Sequence, residues 1–226
     1  ITPIQFGEKY CQYVDEGYTD VIHVPINRSG SSTYNNAVMA QGMLREERPE
    51  HHLNIHLLDP HTYSMVFGWY LCEMARKLQN GAELRHVISE FETQMNKMEV
   101  ILGPYSLKQM KKSGRISAAA AVMGELMGIR PIITLIDGKT RVESKVRGDD
   151  KVIPAMIDLC KKRTEGVEDF DYMIGHTSIP QAAELEKACR KAFGKAPLVT
   201  FNLGGVVSAN TGPDTLALGY VGKPRD

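Results

Sequence analysis

Apolar and polar positions change their spacing in step along the first half of the chain. After Pro3, apolar residues recur at helical period over residues 7–18 and stop at Gly17, and DVIHVPIN (residues 20–27) follows as an unbroken β-rich run. Helical spacing returns over residues 33–47, a strand pattern over 52–58, and a long apolar helix pattern over 62–80 that ends at Gly81. Residues 83–98 read as another amphipathic helix, and residues 100–102 begin a strand. Helices alternating with short strands predict a parallel sheet with helices on its faces.

The second half breaks that alternation. PIITLIDGKTRVES (residues 131–144) is two β-rich runs around Asp137-Gly138, and a DG pair between alternating apolar runs predicts an antiparallel hairpin. A helix over 151–163 follows, then the strand DYMIGHT, a helix over 180–193 stopped by Gly194, and the strand-like APLVTFN and TLALGYVG. Two helices on one face of a mixed sheet fit this order. Between the halves, SGRISAAAAVMGELMG (residues 113–128) predicts a helix whose small residues permit close approach. The expected class is α/β. A parallel-sheet α/β domain spans residues 1–105, and a smaller mixed-sheet α+β domain over 106–226 begins with the GRIS helix.

The densest candidate chemistry lies where the first strand gives way to a helix, the usual place for a ligand crevice in an open α/β sheet. Ser29, Ser31, Ser32 and Thr33 crowd around Gly30 in RSGSSTYNNA. Free N–H groups and the dipole at a helix start favour an anion, and hydroxyls add neutral donors. No GxxxxGK[ST] or GxGxxG motif occurs, and a neutral hydroxyl cradle suits a carboxylate better than a triphosphate. The alternative is that one of these residues merely caps the helix. A serine nucleophile is a sharper rival, but GxSxG is absent and no His and Asp connect to these serines by motif.

His51, His52, His56 and His61 lack HExxH spacing or cysteine partners, so solvent-facing histidines are expected there and no metal. Lys108, Lys111, Lys112 and Arg115 form a basic run that reads either as a solvated turn or as a docking patch, with Arg115 able to grip a carboxylate or phosphate through two hydrogen bonds. Thr211, Gly212 and Pro213 read as a tight turn. The Met-rich segments around Met65, Met74, Met123 and Met127 read as core or as the lining of an apolar channel.

The 226 residues suffice for two domains, and 27 Lys and Arg against 27 Asp and Glu give no reason to expect nucleic acid as a partner. The distant Cys11, Cys72, Cys160 and Cys189 are expected to be buried free thiols in a reducing cytoplasm. No run has the length of a spanning helix, so no stable membrane anchor is expected. The chain starts at ITPIQF without Met, and an upstream segment is expected.

SGSSTYNNA (29–37), LDPHTYSMVFG (58–68), LKQMKKSGRIS (107–117), IRPIITLIDGKTRVESKVRG (129–148) and NTGPDTLALGYVG (210–222) together resemble the DegV family of fatty-acid-binding proteins, including the acyl-binding subunit of bacterial fatty acid kinase. The resemblance runs in order over essentially the whole chain. It implies two α/β domains with an acyl tunnel between them, a long-chain fatty acid as ligand, no cofactor and no catalytic residues of its own. It implies further that the carboxylate is presented to a separate ATP-using kinase that forms the acyl phosphate.

Aligned on Thr33-Tyr34, Ser31 takes the place of the family's carboxylate-binding serine, with Gly30, Ser32 and Thr33 beside it and Ser32 standing where the family commonly has Gly. Asn210 replaces the His of the family's HTGP motif next to Thr211, which keeps hydrogen bonding but carries no proton or charge. Arg115 and Arg147 become candidates for kinase docking or acyl-phosphate contact. A threonine ligand from a TS motif just before Ile1 and an N-terminal acidic-serine strand are implied as well, both in the expected upstream segment. The rivals are a small serine acyl hydrolase or transferase using Ser31, and a binder of another carboxylate or phosphate metabolite.

Overall fold

The computed structural model describes residues 1–114 and 128–224. The expected GRIS helix, with Arg115, Met123 and Met127, lies outside the described residues. Two sheets organise the rest. The first is a parallel pair, β1 (Asp20–His23) and β2 (Asn54–Leu57), framed by α1 (Pro3–Asp15) and α2 (Thr33–Glu47). Thr2 starts α1 with a capping box to Gln5, and Pro3 at the first turn supplies a preset φ where no N–H is needed. Phe6, Tyr10, Ala37, Ala40, Leu44 and Leu53 make this unit's core.

The second sheet has six strands in the order β5-β4-β3-β8-β6-β7. They are β3 (Met98–Pro104), β4 (Ile129–Ile136), β5 (Lys139–Arg147), β6 (Tyr172–His176), β7 (Thr200–Asn202) and β8 (Thr215–Val221). Only β6 and β7 pair in parallel; β3 runs antiparallel to both β4 and β8. The class read from sequence, parallel α/β followed by a mixed sheet, is the class observed.

Strand β3 corrects one expectation. Taken from sequence as a strand of the first unit's parallel sheet, it is instead the hub of the mixed sheet, which it brings to six strands. Its neighbours are remote in sequence, so no local pattern reveals the pairing.

A second correction concerns the faces. Helices cover both sides of this sheet, because α3 (Met65–Gln79) and α4 (Leu84–Met95) from the first half pack on it too. Val100 and Leu102 join them and α5 (Lys108–Ser113) on one side, whereas Ile101 faces α6 (Val152–Arg163) and α7 (Gln181–Phe193) on the other. Of the Thr211, Gly212 and Pro213 turn, Thr211 is the last residue of a helix, α8 (Gly204–Thr211), Gly212 is its C-cap, and Pro213 follows outside it. Cys160 and Cys189 are buried as expected, but Cys72 is exposed and Cys11 half-buried, since each sits off the buried stripe of its helix.

In the small unit, the Tyr10 hydroxyl lies 2.6 Å from His23 Nδ1, and the Phe6 ring meets the imidazole edge-on at 4.7 Å between centroids. Burial pushes Tyr10 up to about 12, with Tyr13 adding to it, so its hydroxyl stays protonated beside the imidazole. Burial holds the His23 pKa below the ordinary histidine value. The unfolded chain therefore takes up a proton first, and this contribution to stability is complete above about pH 6.5 and lost as pH falls through the depressed value. Thermal melts between pH 7.5 and 5 should show a loss approaching, at most, about 1.4 kcal/mol per pH unit from this group, absent in His23→Gln. Parallel pH profiles for the two proteins would remove His23 as the source.

Candidate functional site

The loop that joins β1 to α2 contains Asn27, a polar side chain only 1% exposed. Burial obliges it to find partners, and it finds them on both sides. Its Nδ2 donates to the His61 carbonyl at 2.8 Å, and its Oδ1 accepts from the Ser29 N–H and the Ser29 hydroxyl, each at 2.8 Å. Asn27 thus ties the serine loop to the loop between β2 and α3.

That second loop has its own brace. Asp59 Oδ1 accepts from the His61 N–H at 2.9 Å, and Asp59 Oδ2 lies 3.2 Å from Arg28 Nε. His61 and Ser64 both have positive φ, 56° and 60°, an unfavourable backbone for non-glycine residues that the surrounding bonds hold in place.

The hairpin read from Asp137-Gly138 forms, with φ of 50° and 71° at its two central residues as a type I′ turn requires. Its position could not be read from the motif. The turn closes over the serine loop from the larger sheet: the Ser29 hydroxyl lies 3.3 Å from the Asp137 carbonyl, and His61 Nδ1 lies 2.6 Å from Asp137 Oδ1. Gly138 fits so tightly that a Cβ there would stand 2.1 Å from Asn27 Nδ2 and 2.3 Å from Ser29 Oγ.

Within this clamp, Ser31 Oγ and Thr33 Oγ1 are 2.6 Å apart, and Ser31 Oγ also accepts from the Thr33 N–H at 3.2 Å. Ser32 occupies the N-cap position of α2, yet its side chain makes no capping bond. Simple capping therefore does not account for the Ser32 hydroxyl. The Ser31–Thr33 pair sits at the positive end of a 15-residue helix, and both hydroxyls can turn a proton toward an anion there. Ser31 has a neutral hydroxyl as partner and, among the described residues, no histidine bonded to it. Among the described residues, no base of the kind a serine nucleophile needs is bonded to it.

The other sequence candidates lie apart from this cluster. Asn210 donates to the Val206 carbonyl at 2.8 Å and Thr211 to the Val207 carbonyl at 3.2 Å, so both side chains serve the last turn of α8. Arg147 ends the edge strand β5, exposed, with no ion pair among the described residues. His56 pairs with Asp20 at 2.9 Å and His51 accepts from the Leu53 N–H, while no group of three or more His, Cys, Asp or Glu among the described residues could hold a metal ion. Met65 and Met74 both belong to the apolar cluster under α3. No helix among the described residues is long and apolar enough to cross a membrane.

Sequence reasoning missed Asn27, the bracing role of His61 and the docking role of Asp137-Gly138. Asn27 closing an apolar run was the one available signal, since a polar residue at the end of a buried strand needs a partner. Thr62 Oγ1, on a residue 2% exposed, and the Tyr70 hydroxyl are buried without a hydrogen-bond partner among the described residues. Burial also pushes the Tyr70 pKa up, with Asp171 adding to it.

A small parallel unit whose hydroxyl-rich strand-to-helix loop is clamped beneath a hairpin of a larger mixed sheet defines a two-sheet α/β protein with a neutral polar cradle against an apolar core. The chain belongs to the DegV family: the family model described as "Uncharacterised protein, DegV family" matches residues 1–223. A DegV domain-containing protein of Staphylococcus aureus (strain COL) is 29% identical over 220 residues, covering 95% of this chain and 73% of that protein.

The fold is similar to that of a stearic-acid-binding protein from Eubacterium ventriosum, with a TM-score of 0.86 at 21% identity over 98% of this chain and 76% of the other. It is also similar to that of a fatty acid binding DegV family protein from Streptococcus agalactiae, with a TM-score of 0.82 at 25% identity over 98% and 77%.

Proposed function

We propose that this chain binds a long-chain fatty acid, holding its carboxylate at Ser31 and Thr33 with Gly30 and Ser32 beside them. The acyl tail then runs between the small unit and the apolar face of the six-stranded sheet. The observation that carries the reading is the Ser31–Thr33 hydroxyl pair at the mouth of α2, next to Gly30, over which Tyr63 reaches from the large apolar cluster. The names of the Eubacterium and Streptococcus relatives support the choice of ligand.

Each buried CH2 contributes about 0.8 kcal/mol, so a tail of ~16 carbons offers roughly 10 kcal/mol before the costs of association. The tail supplies affinity and the hydroxyls supply orientation. The protein acts in the cytoplasm as a carrier without a catalytic site and presents the carboxylate to a separate ATP-using kinase that forms the acyl phosphate. Arg115 and Arg147 contribute to that docking, and Asn210 and Thr211 join the head group when the last turn of α8 releases their side chains.

Organic extraction of the purified protein followed by mass spectrometry tests the ligand. A near-stoichiometric C14 to C18 fatty acid is expected; a polar metabolite in its place would overturn the reading. Ser31→Ala should weaken fatty-acid binding by about 1 kcal/mol, more where the cradle is dry. Unchanged affinity in a titration would take Ser31 out of the site. Acyl phosphate produced only when the loaded protein meets an ATP-using fatty acid kinase tests the presentation step.

A further inference from the structure

Tyr63 stands outside the hydroxyl pattern of the serine loop, yet its side chain reaches that loop. A Cβ on Gly30 would come within 1.7 Å of the Tyr63 hydroxyl oxygen and 2.9 Å of Cζ, so the phenol occupies the space a side chain at position 30 would need. Gly30 is not one of the glycines with positive φ. Its φ does not exclude a side chain, and the three atoms nearest to a Cβ there all belong to the Tyr63 phenol.

The rest of the Tyr63 ring packs against the apolar cluster that covers the six-stranded sheet. One side chain therefore spans from that core to the backbone preceding Ser31. The loop around it is built to hold this pose. His61 and Ser64, two residues before and one after, take the left-handed backbone, and Asn27 and Asp59 tie the turn down. Beside it, the Thr62 hydroxyl is buried with no hydrogen-bond partner among the described residues, an unmet polar demand at the same loop.

We propose that Tyr63 is a head-group residue of the acyl site: its phenol donates a hydrogen bond to the ligand carboxylate beside Ser31 and Thr33, and its ring forms the first wall of the apolar path for the tail. The inference rests on the fatty-acid reading above. A phenol fits the task because it is a neutral donor at physiological pH, apolar along its body and polar at its tip. Gly30 is then the residue that lets it reach. A hydrogen bond to a charged carboxylate is roughly twice as strong as one to a neutral oxygen, so the phenol also favours an acid over an alcohol of equal length.

Titrations with a C16 fatty acid and with the C16 primary alcohol test this. Tyr63→Phe keeps the ring packing and should weaken acid binding about tenfold but alcohol binding no more than about threefold. Gly30→Ala should weaken acid binding as well, because it displaces the phenol. In a Tyr63→Ala background the same Gly30→Ala change should cost less than about twofold, because the obstructing hydroxyl is gone. Equal losses for acid and alcohol, an unchanged acid affinity in Tyr63→Phe, or an equal Gly30→Ala penalty in both backgrounds would overturn the role of Tyr63. Failure of the unmodified protein to bind the fatty acid at all would instead overturn the fatty-acid reading itself.

Discussion

Replacing Gly138 with alanine should lower stability by about 2–5 kcal/mol and weaken fatty-acid binding by more than tenfold. The position has a φ of 71°, where an L side chain costs about 1–2 kcal/mol. The added methyl also drives into Asn27 Nδ2 and Ser29 Oγ, at 2.1 and 2.3 Å. Asn27 must then release the His61 carbonyl or the Ser29 N–H, and a buried group left unpaired costs about 1–3 kcal/mol. Gly194→Ala is the matched control: its φ is 74°, but nothing lies within 4 Å of the new Cβ, so only the backbone cost applies. Urea unfolding and a fatty-acid titration on both variants separate the two contributions. Matching losses of stability and affinity in the two proteins would mean that the hairpin does not hold the serine loop.

Ile101→Ala should cost comparable stability, about 2–5 kcal/mol, but little affinity. Ile101 is fully buried in β3 and packs on the face shared with α6 and α7, away from the cluster that contains Leu58 and Tyr63. Truncation leaves a cavity in a layer clamped by β4 and β8 on either side, which limits collapse around it. At low temperature, where the variant remains folded, fatty-acid affinity should stay within about twofold of the original. A large loss of affinity without loss of stability would place the acyl tail on the α6–α7 face instead. Together these two variants distinguish a clamp over the head group from the general integrity of the sheet.

Much of the fold was legible because its signals are local. Asp137-Gly138 forms the hairpin its sequence implies, Gly194 terminates α7, and DVIHVPIN contains β1. The elements that were misread are the ones decided by distant partners. The apolar run of β3 fits any buried strand, and only pairing with β4 and β8 assigns it to the larger sheet. Helix α8 has no counterpart in the sequence reading beyond the turn at its C-terminal end, because its Gly-Gly start and short length give a weak helical pattern.

The candidate site divides in the same way. Its hydroxyls were visible as a cluster because they are neighbours in sequence, and the spacing of Ser31 and Thr33 already allows them to meet. Residue types and local spacing thus determined the two-part α/β class, the hairpin, and the concentration of neutral donors at the start of α2. Tertiary structure alone decided what surrounds those donors. Asn27, His61, Tyr63 and Gly138 come from three separate segments, and their approach depends on the small unit packing beneath the β4–β5 turn. The physical reason is range. Helical and strand periods act over a few residues, whereas a buried amide, a phenol over a glycine and a turn pressed on a loop are selected by contacts that exist only once the whole chain has closed.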